Sequence, residues 1–470
     1  MTAILSLVSS VLYESQRHRR KDGCQMGTIA QGFLFSWEIV DGSLQIERLR
    51  RILDVLPDGK LIRALKKERK GRRDKFPLEA VWNSVIAGVV FGHDSVAALI
   101  RELRRNGELR QVCGFDPFRK EGAVPPDYVY SRFFEKLFRH AEWVEAMFHG
   151  LVEKLRRRLP DYGKDLAVDG KALPTHGKKD GDANWGVKSY AGLREDGTPW
   201  EKITQWFGYK LHLIVDANYE LPVAYEVTQA SVADSPRLMP MVKALRAEHP
   251  RLLKRAKTLA ADKGYDDGAD KAELYEEYGI VPLMDTRDLH HENGGGKMRP
   301  LDAKQSDTIY YSGTGEVCCK VRPFAEKQEE RFVPMAYMGF EKARGSLKFR
   351  CPAAAYGVEC KNREACRCRP TVRDGEYGRV VRVPLSLNRR VFLPVHRPSY
   401  TFERLYKKRT AVERVNSRVD QVYGFEHHFI RGQKKMKCRV DLALIVMLAI
   451  AVSWIEEGQV QRARSLLRVA

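Results

Sequence analysis

SYTFERLYKKRTAVERVNSRVDQVYG, residues 399–424, carries the reading on which the rest of the chain turns. Phe402, Leu405, Val412, Val415, Val419 and Val422 recur at near-3.6 spacing, which predicts one amphipathic helix with Gly424 as its C-terminal stop. Steps of three and four residues put side chains on one helix face. Tyr406, Arg409 and Glu413 are spaced in this way and so point together. An acid beside a guanidinium on a basic helix suits a metal ligand next to a phosphate clamp. The competing reading is a surface ion pair, a weak interaction on its own.

Two aspartates lie upstream. Asp169 closes DLAVD and precedes GKAL; Asp262 closes TLAAD and precedes KGYDD. Short apolar runs ended by turn chemistry read as buried strands of an α/β sheet. Sites in open α/β sheets form at the carboxyl ends of strands, so both carboxylates are predicted to emerge in one crevice. Taken singly, each aspartate is equally a turn former or helix cap. With Glu413 they make three anions that raise one another's pKa unless a cation neutralises them. Mg²⁺ does this with a few carboxylates, completing its shell with water and substrate phosphate.

The intervening sequence predicts further elements in the order β-β-β-α-β-α-β. GYKLHLIVDA and LPVAYEVT read as strands joined by a turn at Asn218, Tyr219 and Glu220. SPRLMPMVKALRAEH reads as a helix with Ser235 as N-cap and Pro236 at its first position. The strand to Asp262, a helix at DKAELYEEYG and a strand IVPLMDT follow. Asp216 reads as a turn residue, Asp234 as part of a cap, Asp266 and Asp267 as a helix start. His212 reads as a strand histidine facing a partner side chain, whereas His427 and His428 are left open as a DNA-facing loop. The acids are separated by 262 − 169 = 93 and 413 − 262 = 151 residues. The second gap is too long for a simple connection, which predicts an inserted subdomain.

On these residues the chain resembles the DDE transposases of bacterial insertion sequences, whose catalytic core is RNase H-like. The resemblance rests on LAVDGKAL around Asp169, FGYKLHLIVDANYELPVAYEVTQASVADSPRL, LAADKGYDD around Asp262, and the tyrosine-x2-arginine-x3-glutamate pattern at Tyr406, Arg409 and Glu413. It covers about residues 78–290 and 398–456. It implies an α/β fold: an RNase H-like mixed sheet flanked by helices, with an N-terminal helical domain and a strand-rich insertion before the last catalytic helix. It also implies metal-dependent DNA cleavage and strand transfer, with Asp169, Asp262 and Glu413 holding two Mg²⁺ ions, Mn²⁺ being a substitute. Tyr406, Lys408, Arg409, Lys434 and Lys435 are then the expected DNA contacts. The family pattern often places a lysine seven residues after the glutamate, but Asp420 stands there. Implied partners are double-stranded DNA (element terminal repeats and target) and a second copy when assembled on DNA, in the bacterial cytoplasm at the nucleoid. Two other readings share the features: a transposase-derived DNA-binding protein that no longer cuts, and an RNase H-like nuclease that cuts without joining.

The implied division of the chain is a basic region at 1–75, a helical domain at 76–160 that binds DNA or merely packs on the core, a core in two parts at 161–290 and 398–470, and an insertion at 291–397. Residues 1–59 carry no interpretable motif. Nine of the sixteen residues Lys60–Lys75 are Lys or Arg, which reads as a solvated linker or a phosphate contact. Two stretches, 76–103 and 127–159, alternate apolar and basic residues at helical spacing. The insertion holds six of the nine cysteines. Cys351, Cys360, Cys366 and Cys368 are a candidate structural Zn²⁺ site, although C-x8-C-x5-C-x-C is not a usual finger spacing; reduced thiols are the alternative.

Composition fits a polyanionic partner. The 470 residues carry 82 Lys plus Arg against 61 Asp plus Glu, a formal charge of +21. Hydrophobic content of 43% is enough for real cores. The longest apolar run, Leu442–Ile455, is 14 residues, which suits a core helix better than a membrane span of about 20 residues. The opening MTAILSLVSSVLYES lacks a basic start before its apolar part, so no export signal is expected.

Overall fold

The computed structural model describes residues 44–68, 76–119, 122–176, 180–194, 198–286, 298–301, 308–321, 331–357, 377–426 and 428–464. A six-stranded mixed sheet is its centre. The strands are β1 (Asp165–Pro174), β2 (Asn184–Leu193), β3 (Pro199–Asp216), β4 (Leu221–Gln229), β5 (Thr258–Ala261) and β6 (Val281–Met284). They run in the order β2-β3-β1-β5-β6, with β4 also paired to β3. β1 is antiparallel to β3 and parallel to β5, which is parallel to β6. This is the mixed sheet of an RNase H-like fold.

Described helices are α1 (Leu44–Val55), α2 (Gly59–Lys67), α3 (Leu78–Val90), α4 (Val96–Arg105), α5 (Gly107–Cys113), α6 (Asp127–Arg139), α7 (Ala141–Arg158), α8 (Leu238–Glu248), α9 (Pro250–Arg255), α10 (Gly268–Glu276), α11 (Pro352–Tyr356), α12 (Tyr400–Tyr406), α13 (Thr410–Tyr423) and α14 (Gln433–Glu456). α14 is the axis of the core. It is buried almost without interruption from Val440 to Ile455 and packs on α1, α3, α7 and β4 in turn. Among the described residues it alone is long and apolar enough to cross a membrane, but 83% of its most apolar window is buried inside the protein. Its apolar surface is consumed internally, each full side-chain burial contributing about 1.5–3 kcal/mol.

The helices before the sheet share its hydrophobic core. Ile46, Trp82, Phe148, Leu213 and Leu444 belong to one continuous hydrophobic cluster. The basic run that reads as a linker begins as helix α2. Leu61, Ile62 and Leu65 face the core, leaving the cations outside; residues 69–75 lie beyond the described set.

Two local expectations are corrected, and one element is added. The stretch 400–423 is two helices rather than one, because a single 3-10 turn over Lys407–Arg409 separates α12 from α13. Gly424 does close α13, in the left-handed region with φ of 66°. Ser235 does not cap a helix: a 3-10 turn over Ser235–Arg237 precedes α8, and the Asp234 side chain makes no cap bond. Finally, the sequence gives no sign of β2 or of the outer half of β3, which pair from Asn184↔Gly208 to Leu193↔Pro199 as a two-stranded arm.

The insertion forms two small sheets. One holds β7 (Arg299–Pro300), β8 (Ile309–Tyr311), β9 (Val317–Val321) and β10 (Arg331–Pro334); the other holds β11 (Ala336–Glu341), β12 (Ser346–Arg350) and β13 (Val380–Pro384). Ile309, Leu347, Phe349, Val383 and Phe392 make its own core. A buried acid ties it to the central sheet: Asp266, after β5, pairs with Lys271 of α10 and with Arg390 Nε at 2.6 Å.

Candidate active site

The parallel ladder of β1 and β5 ends at Val168↔Ala261. Asp169 and Asp262 are the next residue on each strand, so two carboxylates stand side by side where the ladder stops. This corrects one detail of the sequence reading. Asp262 does end its strand, but β1 continues past Asp169 to Pro174 because β3 goes on pairing with it. The crevice opens because β5 stops, not because β1 does.

Each carboxylate is held by backbone next to it. Asp169 Oδ1 accepts from Gly170 N at 2.8 Å, and Asp262 Oδ1 accepts from Gly264 N at 2.7 Å. Burial, reinforced by the charge of Asp262, pushes the Asp169 carboxyl up to about 6. An anion destabilised in this way is stabilised by a nearby cation.

α13 brings the third acid. Val412, Val415, Val419 and Val422 form its buried stripe against β1 and β3, with Glu413 on the neighbouring face. Ion pairs fix the helix. Arg414 Nε meets Glu220 Oε1 at 2.7 Å, and Arg418 pairs with the same carboxylate. Glu220, in the β3–β4 turn, adopts φ of 54°. Glu413 itself pairs with Arg409 at 2.6 Å, and its side chain is 48% exposed. The Arg409 guanidinium is also within electrostatic reach of Asp169, so the three expected acids gather around one region. Asn416, three residues after Glu413, brings Nδ2 to 3.5 Å from Asp169 Oδ2.

The fit to a divalent cation is partial as the side chains stand. Among the described residues no three of His, Cys, Asp and Glu converge closely enough to hold a metal. Asp169 and Asp262 supply the hard oxygen donors that Mg²⁺ takes, and one or two carboxylates are its usual protein share. Glu413 is turned to Arg409 by an ion pair between partly exposed groups, which is weak and cheap to exchange.

The other expected contacts fall into different places. Tyr406 stacks on Phe402 with ring centroids 5.6 Å apart and joins a small cluster with Leu283 and Leu393, so its ring anchors α12. The Arg409 guanidinium sits 5.9 Å from that ring. Lys408 Nζ is bound to Asp165 Oδ2 at 2.6 Å and so has an intramolecular anion as its partner. Lys434 and Lys435 are exposed in the first turn of α14. Asp420, where the family pattern has a lysine, forms an ion pair with Lys171 of β1. The cation is present but comes from the opposite element, and it is neutralised. Cys360, Cys366 and Cys368 lie outside the described residues; Cys351 is a partly buried free thiol. His427 also lies outside them, and His428 is fully buried rather than facing a loop surface.

One group of residues escaped the sequence reading. Asp234 lies against Gly170, next to Asp169, where any Cβ would overlap its carboxylate. It reaches Lys210 Nζ at 3.2 Å and His212 Nδ1 at 3.4 Å. His212 Nε2 meets Thr228 Oγ1 at 2.9 Å, and burial holds the imidazole down at about 4, hence neutral. Only β3–β4 pairing assembles this cluster, so nothing in local sequence announces it. Asp216 and Asp267 behave as read: Asp216 accepts from Asn218 N and Tyr219 N, and Asp267 caps α10 through Ala269 N at 2.7 Å.

A family model described as a transposase DDE domain matches residues 163–449, more than half of the chain. No curated protein and no solved structure matches it.

Proposed function

We propose, from the premise that this chain belongs to the transposase DDE domain family, that it cuts DNA at the ends of a bacterial insertion sequence and joins the freed ends to target DNA. The observation that carries the proposal is the adjacency of Asp169 and Asp262 at the end of the β1–β5 ladder, with Glu413 and Arg409 above them. In this reading Asp169 and Asp262 hold Mg²⁺, two ions with Mn²⁺ as a substitute, and Glu413 joins them by leaving Arg409. Bound Mg²⁺ would polarise the scissile phosphate and lower the pKa of the attacking water or 3′-hydroxyl. The chain does the rest by positioning and charge. Arg409, released from Glu413, turns its planar fork to a phosphate. Tyr406 keeps α12 on the sheet so that Arg409 and Glu413 are presented together. Asp234 and His212 hold β1 at Gly170, and with it the orientation of Asp169.

The partner is double-stranded DNA, terminal repeats and target, and the +21 charge suits it. Joining two ends calls for two active sites, hence a dimer on DNA, working at the nucleoid in the cytoplasm. One observation favours a second reading, a DNA-binding protein that no longer cuts: Glu413 is paired with Arg409, and among the described residues no three potential ligands converge on a metal position. A nuclease that does not join is the third reading.

The test is to incubate the purified protein, and a Glu413→Gln variant, with Mg²⁺ and DNA bearing the element's terminal repeats. Cleavage and strand joining are expected from the first and neither from the second, with DNA binding kept. Equal activity in both removes Glu413 from the site. Binding without cutting in the native protein supports the second reading, and cutting without joining the third.

A further inference from the structure

The β2–β3 arm has no evident structural purpose, yet it is built and anchored with care. β3 is continuous through Gly208, where its inner half leaves the company of β1 and β4 and its outer half pairs with β2. Gly208 has φ of 151°, and a Cβ there would overlap the carbonyl of Leu173; only glycine lets the ribbon turn off the sheet at this point. The root is tied to the start of α14. Asp180 accepts from Gly432 N at 2.8 Å, and Asp182 accepts from Gln433 N at 3.2 Å. Asn184 Nδ2 donates to Ser231 Oγ at 2.7 Å.

Beyond the root, both faces of the ribbon are open to solvent. Successive strand residues point to opposite faces. One face carries Trp185, Val187 and Ile203, which are 61%, 59% and 58% exposed, far outside the usual range for such side chains. The other carries Lys188, Lys202 and Trp200, with Trp206 packed over Gly186 at its base. The base of this second face is turned to the crevice: the Trp206 ring lies 5.8 Å from Lys210 Nζ, which reaches Asp234 beside Gly170 at 3.2 Å, and the Lys188 ammonium acts electrostatically on Asp169. Lys434 and Lys435 continue the basic surface past the root. A ribbon with Trp185, Val187 and Ile203 among the polar Ser189, Glu201 and Gln205 on one side, basic and aromatic on the other, and placed beside the candidate site is matched by unpaired nucleotides. Every base has a π-face to stack, and every backbone has phosphates to neutralise.

We propose that the arm is a strand-separating wedge, which opens the terminal base pairs of the bound DNA. Lys188 and Lys202 hold the phosphates of the strand entering the active site, with Trp200 on one of its bases. Trp185, Val187 and Ile203 cover a base of the opposite strand. The inference rests on the transposase reading for the identity of its substrate.

The test separates unpairing from chemistry. Blunt duplexes from the DNA flanking the coding sequence carry a fluorescent base analogue at the terminus, and binding is followed without metal. The native protein is expected to raise the analogue's fluorescence. Trp200→Ala and Ile203→Ala, chosen because neither residue packs in the core, are expected to suppress the rise and to weaken end binding roughly tenfold, with unchanged melting temperature. With Mg²⁺ added, both variants cut fully paired ends slowly and recover on duplexes whose terminal pairs are already mismatched. No fluorescence change with the native protein overturns the wedge, whether or not the protein cuts. Unpairing without cutting leaves the wedge standing and overturns the catalytic reading instead. Variants equally slow on paired and mismatched ends, or altered only in sedimentation as oligomers, overturn the wedge in favour of a plain contact or an interface between copies.

Discussion

Position 420 shows how a single residue can keep a charge while hiding it. Lys171 lies two residues beyond Asp169 on β1, on the same face of the strand. Its ammonium is held by Asp420 of α13, and both side chains are mostly buried. Replacing Asp420 with asparagine removes the anion and keeps the shape. Lys171 then faces the crevice as a free cation. The expected result is tighter DNA binding and a salt dependence of log K steeper by roughly one unit, measured by titration across salt concentrations. An unchanged slope shows that Lys171 points away from the phosphates. At this scale the candidate site was legible as a set of residue types. Asp169 and Asp262 stood out because apolar runs ended on them, and Glu413 because helix periodicity aligned it with Arg409. Lys408 was misleading for the same reason that it was attractive: a lysine beside a catalytic pattern reads as a DNA contact, and nothing in sequence shows that Asp165 reaches it from the far end of β1.

Among the elements, α13 depends on one turn residue for its place. Glu220 is nearly buried, and its carboxylate receives both Arg414 and Arg418. Glu220→Ala leaves Arg418, itself mostly buried, without its counter-charge, which costs about 3 kcal/mol. The variant should melt earlier, and with α13 loosened it should lose cleavage more than DNA affinity. A melting curve within error of the native one removes the pair from the account. Elements with strong local signals were read correctly: the strands around the Asn218–Glu220 turn, the Gly424 stop, and α14 as a buried helix. Those that failed had only tertiary causes. The break between α12 and α13 has no proline or glycine to mark it. The arm's strands are exposed on both faces, so they lack the apolar alternation by which a half-buried strand is recognised.

For the molecule as a whole, the joint between the helical layer and the catalytic sheet contains an imidazole pair. His149 Nδ1 of α7 meets His249 Nε2, between α8 and α9, at 2.9 Å. Burial, helped by His149, holds His249 down at about 4 from its ordinary 6.5. Both states are neutral above that ordinary value. As pH falls through it, the unfolded chain takes a proton that the folded chain refuses, so stability is lost until the folded pKa is reached. His249→Gln lacks this penalty. Its stability relative to the native protein should improve by about 1–2 kcal/mol between neutral pH and about pH 5, measured by denaturant unfolding at both. A constant difference contradicts the neutral folded state. Sequence left open whether the helices before the sheet bind DNA as a domain or pack on the core; a hydrophobic pattern shows that a face is buried, not against what. That shared core has a consequence in the order of synthesis. α14 fills the centre around which α1, α3, α7 and β4 are arranged, yet it follows all of them in the chain, beginning at residue 433. Until it leaves the ribosome, the earlier helices and the sheet hold an open apolar cleft, the kind of surface through which incomplete chains aggregate or recruit chaperones. Glu413 arrives just as late, so the candidate site gains its third acid only together with the helix that seals the core.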